Sequence, residues 1–95
     1  MEDEDKLRTD VERGRRAKAL LEDELLQETL EYLDLAYVDG WKKCRTVELR
    51  EAAWALTMAV EKFREHLTTV LNNGILADRQ IHELVTRQPG RPRAA

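Results

Sequence analysis

The chain has 95 residues, so it is long enough for a single domain. Charged residues make up 37% of it and aromatic residues 5%, with two prolines, a composition typical of long helices. A net charge of −3 argues against a surface that is basic throughout, and no apolar run approaches the roughly 18 residues of a membrane span.

The N-terminal half predicts an acidic leader and two helices. Residues 1–9 are polar and acidic, and we expect them to form a flexible leader beside a single helical domain over 10–86. A short first helix follows over 11–21, with Thr9 or Asp10 as its N-cap. Asp23 is a good N-cap for a second helix over 24–44, since its carboxylate can accept hydrogen bonds from first-turn amides. No glycine or proline separates these two helices, so one continuous helix is the alternative.

The C-terminal half predicts a third long helix, a short fourth helix and a basic tail. Thr46 is the expected N-cap of the third helix. The sequence Asn-Asn-Gly at 72–74 is a strong stop signal, because glycine readily adopts the left-handed conformation that ends many helices. We expect a fourth helix over 76–86 to fold back beside the third, and residues 87–95 to form a flexible basic tail.

Apolar residues recur in the second and third helices with alternating spacings of four and three residues, the heptad pattern of coiled coils. If the two helices pair antiparallel, the residue numbers of facing positions have a constant sum. Six pairs share the sum 93: Cys44–Leu49, Gly40–Ala53, Tyr37–Leu56, Leu33–Val60, Leu30–Phe63 and Leu26–Leu67. The layer of Gly40 and Ala53 suggests a close approach of the helices. The predicted fold is all-α, an antiparallel helical hairpin flanked by two short helices.

A group of large apolar residues lies outside this heptad seam. We call it the tip patch, and it comprises Leu35, Val38, Trp41, Trp54 and Met58. The short helices are tied to the open end of the hairpin, so we expect neither to cover it. Aromatic and methionine side chains are enriched at interface centres, which predicts a protein interface here. The alternative is that the short helices reach further, or that the Trp side chains fold over their own helices.

The residue types that catalysis requires are sparse in this chain. His66 and His82 are the only histidines, and neither belongs to a Glu-x-x-His or His-x-x-x-His pattern. Cys44 is the single cysteine, as is common in a reducing cytoplasm, and we expect a packed thiol. The chain has no glycine-rich phosphate loop. We therefore expect no enzyme, no catalytic residue, no metal or other cofactor, and no small-molecule substrate.

Two basic segments make nucleic-acid binding an alternative. Four bases of the first helix lie between acidic residues, which weakens that reading: Arg13, Arg15, Arg16 and Lys18. The tail contains Gly-Arg-Pro at 90–92, which resembles the core of AT-hook minor-groove binders, although Pro89 replaces the usual preceding arginine. Three tail arginines are candidate phosphate contacts: Arg87, Arg91 and Arg93. A solubilising tail is the competing interpretation.

Packing and turn residues follow one another in a recognisable order along most of the chain. They are Glu12-Arg13-Gly14-Arg15-Arg16-Ala17, Leu20-Leu21-Glu22-Asp23, Tyr37, Trp41, Leu49-Arg50-Glu51-Ala52-Ala53-Trp54, Arg64, Leu67 and Gly74-Ile75-Leu76-Ala77. In this order the chain resembles a family of short helical proteins encoded by tailed bacteriophages and prophages. The resemblance implies a phage-encoded protein whose gene often neighbours virion or packaging genes, and it transfers no catalytic residue.

We interpret the chain as a phage-encoded, non-catalytic helical protein that self-associates. It would act in the host cytoplasm or the virion, as a minor virion component or an assembly factor. The expected partner is a second copy or another phage or host protein, and no membrane is expected. One alternative is a DNA-packaging or regulatory protein that binds nucleic acid through the basic segments. Another is a small inhibitor of a host or defence protein that binds through the tip patch.

Overall fold

The computed structural model describes residues 2–87 and consists of three helices. They are α1 (Glu2–Glu22), α2 (Glu24–Lys43) and α3 (Val47–Thr86), and the described residues contain no strand. The predicted all-α class is confirmed. The predicted arrangement of a hairpin with two short flanking helices is wrong, because α3 alone takes up the places of the third and fourth predicted helices.

The molecule is a rod that is two helices thick. α3 has 40 residues, which is about 60 Å of helix. α2 turns back along its N-terminal half, and α1 packs along its C-terminal half. The rod measures 72 × 25 × 17 Å, and its radius of gyration of 20.7 Å compares with about 12 Å for a compact domain of this length. Few residues are buried in so thin a body: Gly14, Ala17, Leu30, Val60, Gly74 and Ala77.

The N-caps predicted for the second and third helices are present, whereas the cap predicted at Thr9 or Asp10 is wrong because α1 begins at Glu2. Asp23 has an extended backbone, with φ −70° and ψ 119°, and its carboxylate accepts a hydrogen bond from the Leu26 amide at 2.8 Å. The Gln27 side-chain amide donates to the carbonyl oxygen of Leu21 across this break at 2.7 Å. The Thr46 hydroxyl accepts from a first-turn amide of α3 at 3.2 Å. The break between the first two helices is therefore confirmed, and the continuous alternative is wrong.

The predicted stop at 72–74 is wrong, because α3 continues through it to Thr86. The heptad seam explains the continuation, since its spacing of four and three persists after Val70 at Gly74, Ala77, Ile81 and Leu84. Packing of α1 on this extended seam outweighs a helix penalty of about 1 kcal/mol for the glycine. The predicted fourth helix over 76–86 is thus the end of α3. Residues 2–9, predicted as a leader, form the first turns of α1.

Two glycines mark the closest approach of α1 and α3. A Cβ atom built on Gly74 would lie 2.8 Å from the Cα atom of Gly14 and 2.9 Å from the carbonyl oxygen of Asp10. Any side chain at this position would force the two backbones apart, so only glycine allows this contact. A Cβ atom at Gly40 would meet nothing within 4 Å, so the close layer expected opposite Ala53 is wrong.

α1 packs on α3 in a register that differs from the one predicted for α2. Gly14 lies against Gly74, which gives residue numbers with the sum 88, five less than the 93 predicted for the hairpin layers. An uninterrupted helix paired antiparallel with another keeps one sum along its whole length. The break at Asp23 therefore allows each of the two helices to pack in its own register.

Candidate interaction surfaces

The described residues do not assemble a metal-binding cluster. Residues 2–87 contain no group of three or more His, Cys, Asp or Glu side chains placed to hold a metal ion. The thiol of the half-buried Cys44 donates to the carbonyl oxygen of Gly40 at 3.0 Å. His82 Nε2 lies 3.7 Å from an oxygen of Asp78 on the exposed side of α3. Within the described range, none of the helices has an apolar stretch long enough to cross a bilayer.

An apolar groove runs between α2 and α3 and has a volume of about 330 Å³. The groove is lined by Leu26, Thr29, Leu30, Leu33, Tyr37, Leu56, Ala59, Val60 and Phe63. These residues include both members of three predicted layers, the pairs that sum to 93 at the middle of the hairpin. The structure thus brings the predicted seam together and leaves one side of it open.

The groove is open because the residues along its rim are small. Ala59 and Thr29 lie at its edge, and neither is large enough to cover the side chains between the helices. Leu56 and Phe63 are seam residues, yet they remain 47% and 49% exposed. The opposite edge of the hairpin carries an ion pair instead, in which the Arg64 guanidinium lies 2.7 Å from a carboxylate oxygen of Asp34. The two edges of the α2–α3 half therefore differ in chemistry.

The five residues of the tip patch are all exposed in the chain. Their exposed fractions range from 37% for Met58 to 72% for Leu35, and both Trp side chains lie within that range. Trp41 follows Asp34 by one heptad, which places it on the edge opposite the apolar groove. The tip patch and the groove are therefore separate apolar surfaces. The interface role of the tip patch remains a prediction.

The α1–α3 half also has two unlike edges. We call the first the paired edge. Each of its three α1 bases forms an ion pair with a carboxylate of the same helix: Arg8–Glu4 at 3.0 Å, Arg15–Glu12 at 3.4 Å and Lys18–Glu22 at 3.9 Å. On the second, the basic edge, Arg13 and Arg16 line a groove of about 230 Å³ with His66 of α3. Neither of these arginines forms an ion pair with any residue in the described range.

The position of the α1 bases on two edges was not predicted from the sequence, because acidic residues before and after them seemed to neutralise the whole group. Helical periodicity could have predicted it, because the acids recur on the same side as Arg8, Arg15 and Lys18.

Among the predicted tail contacts, the exposed Arg87 is the C-cap of α3. Arg91 and Arg93 lie outside the described residues.

The surfaces found are thus an apolar groove, an exposed tip patch and a basic edge, all along the sides of one rod. None of them encloses a ligand-sized cavity with converging polar groups of the kind that small-molecule sites have. In comparisons with family models, curated proteins and solved structures, no match to this chain was found.

Proposed function

We propose that the chain is a non-catalytic helical interaction protein that associates with a second copy of itself through the apolar groove. The observation that carries the proposal is the exposure of Leu56 and Phe63, which belong to the heptad seam but are only half covered. Seam residues of a complete helical bundle lie in its core. The α2–α3 half therefore exposes apolar side chains that would lie in the core of a complete helical bundle.

The surface area of the chain supports a second copy. The accessible surface is 8072 Å², whereas a compact monomer of 11.1 kDa exposes about 5,700 Å². Even an allowance of about 1,300 Å² for the eight C-terminal residues beyond the described range leaves an excess of about 1,100 Å². A stable protein interface needs about 800 Å² from each partner. The excess is enough for one such interface.

The shape of the groove favours a copy of the same hairpin as its occupant. Ala59 and Thr29 along the rim are small enough to let a second pair of helices approach to the usual 8–10 Å between axes. No charged side chain lines the groove. Two hairpins related by a two-fold axis would bury both grooves and form a four-helix bundle, and such self-complementary dimers are the commonest protein oligomers.

The resemblance to phage-encoded helical proteins supports a role for this dimer in phage assembly. A self-associating rod of this kind would serve in the host cytoplasm or the virion as an assembly factor or a minor virion component. None of the five tip-patch residues lines the groove, so the tip patch would stay exposed in the dimer. Its exposed Trp41 and Trp54 favour a second role, the binding of another phage protein or the inhibition of a host protein.

Sedimentation velocity at tens of micromolar tests self-association and identifies the surface. Ala59→Glu places a carboxylate at the rim of the groove without removing a core side chain, and it should convert the dimer to a monomer of unchanged helicity. Thr68→Glu adds the same charge at an exposed position of α3 outside the groove, and it should leave the dimer intact.

Trp54→Asp separates the groove from the tip patch in the same measurement. The groove proposal predicts a dimer for this variant, because Trp54 does not line the groove. A monomer for Trp54→Asp together with a dimer for Ala59→Glu would assign the interface to the tip patch. A monomeric wild type at these concentrations would refute self-association through either surface.

A further inference from the structure

The bases of α1 that form ion pairs and those that do not face opposite edges of the rod. Arg8, Arg15 and Lys18 face the paired edge, where carboxylates of α1 neutralise them. Arg13 and Arg16 face the opposite edge without an ion pair among the described residues. The overall charge of −3 therefore conceals one strip of the rod whose arginines have no ion-pair partner among the described residues.

The basic edge continues in both directions by helical periodicity. Lys6 precedes Arg13 by one heptad on α1, is exposed, and forms no ion pair in the described range. On α3, Asn73 and Gln80 follow His66 at intervals of one heptad, and Arg87 follows Gln80 by one more. The distance from His66 to Arg87 along the helix axis is about 32 Å, at 1.5 Å per residue. The edge thus combines three bases of α1 with two amide side chains of α3, and it ends at Arg87.

We infer that the basic edge binds the phosphate backbone of double-stranded DNA, without reading its sequence. A line of uncompensated bases on one side of a rigid rod is the electrostatic pattern that a polyphosphate attracts. Asn and Gln side chains between the bases can donate further hydrogen bonds to phosphate oxygens. Two arginines line the groove of this strip, whereas no charged side chain lines the apolar groove between α2 and α3.

Duplex DNA fits the edge better than a single strand does. Proteins that bind single strands stack the bases on aromatic side chains along a basic groove. All five aromatic residues of this chain lie in α2 and the first half of α3, between Tyr32 and Phe63. The basic edge has none, so it can contact phosphates but cannot hold unpaired bases.

The binding is weak and depends steeply on salt. Each phosphate that a protein neutralises contributes about −0.9 to the slope of log K against log salt concentration. The three unpaired bases Lys6, Arg13 and Arg16 therefore give a slope of about −2.7. Arg87, at the C-terminal end of the edge, would add about −0.9 more where it also reaches a phosphate.

A matched pair of double variants tests this inference on the full chain. Arg13→Gln/Arg16→Gln removes two charges from the basic edge, and Arg8→Gln/Arg15→Gln removes two from the paired edge, so the net charge is the same in both. Fluorescence anisotropy with a labelled duplex of about 20 base pairs is measured from about 20 to 200 mM NaCl. We expect the slope to become shallower by about 1.8 for the first variant and to change little for the second.

Four results would overturn the inference. The first three are no duplex binding at the lowest salt, equal effects of the two double variants, and tighter binding of a single strand of the same length. The fourth is a loss of binding when residues 88–95 are deleted, combined with unchanged binding by Arg13→Gln/Arg16→Gln.

Sedimentation of Arg13→Gln/Arg16→Gln adds a check, because a change in its oligomeric state would make the basic edge a protein interface. The groove lies in the other half of the rod, so a monomeric wild type would leave this inference standing.

Discussion

Replacement of Gly74 by alanine tests the close contact between α1 and α3 with the smallest side chain available. The added Cβ atom would lie 2.8 Å from the Cα atom of Gly14 and 2.9 Å from the carbonyl oxygen of Asp10. Both neighbours are backbone atoms, which cannot turn aside as a flexible side chain can. The two helices would have to separate locally to admit one methyl group.

Gly40 supplies a matched control for the same chemical change. Alanine in place of glycine inside a helix stabilises it by about 0.5–1 kcal/mol through backbone entropy. At Gly40 nothing lies within 4 Å of the new Cβ atom, so this gain should appear in full. At Gly74 overpacking opposes the gain with a destabilisation of about 1–3 kcal/mol. Since the entropy term is common to both, Gly74→Ala should be less stable than Gly40→Ala by about 1–3 kcal/mol.

Thermal unfolding followed by circular dichroism measures this difference. For a domain of this size, 1 kcal/mol shifts Tm by about 4–8 °C, so Gly74→Ala should melt at least about 4 °C below Gly40→Ala. The two variants and the wild type need equal protein concentrations, because association raises Tm by mass action. A Gly74→Ala protein that melts at or above the temperature of Gly40→Ala would show that the helices do not meet at these glycines.

Two further substitutions test the core and the helix break by urea unfolding. Leu30 is 4% exposed, so Leu30→Ala should destabilise by about 2–5 kcal/mol, while Leu35→Ala, at a residue 72% exposed, should change stability by less than about 0.5 kcal/mol. Equal losses in these two variants would contradict the assignment of Leu30 to the core. Asp23→Ala removes the N-cap of α2 and should destabilise by about 1 kcal/mol, whereas Asp23→Asn keeps a capping oxygen and should lose less. If both variants at Asp23 lose the same amount, the hydrogen bond to the Leu26 amide is not what stabilises the start of α2.

The features predicted correctly from the sequence are those that neighbouring residues decide. Asp23 and Thr46 begin their helices because each side chain accepts a hydrogen bond from an amide three residues along the same chain. The heptad spacing placed Leu30 and Val60 in the seam between the helices, and both residues are buried. Both kinds of signal need no knowledge of the rest of the molecule.

The errors occurred where a local signal competed with packing from a distant segment. Asn-Asn-Gly at 72–74 is a stop signal when α3 is considered alone, but Gly74 is also the next position of its heptad seam. α3 continues through Gly74 because α1 packs against it there, and only a glycine lets the two backbones meet. Gly40 was the reverse case, in which a seam position suggested a close contact that the structure does not make.

Composition and caps are enough to predict that this chain is helical and where α2 and α3 begin. Composition, caps and periodicity act over a few residues, and each of these results depends only on them. Three features follow only from the packed structure: α3 runs unbroken through Gly74, the groove beside Leu56 and Phe63 stays open, and Arg13 and Arg16, unlike Arg8 and Arg15, have no ion-pair partner among the described residues. These outcomes depend on which helix lies alongside and in which register, because burial and charge pairing are properties of surfaces that form only when the helices pack.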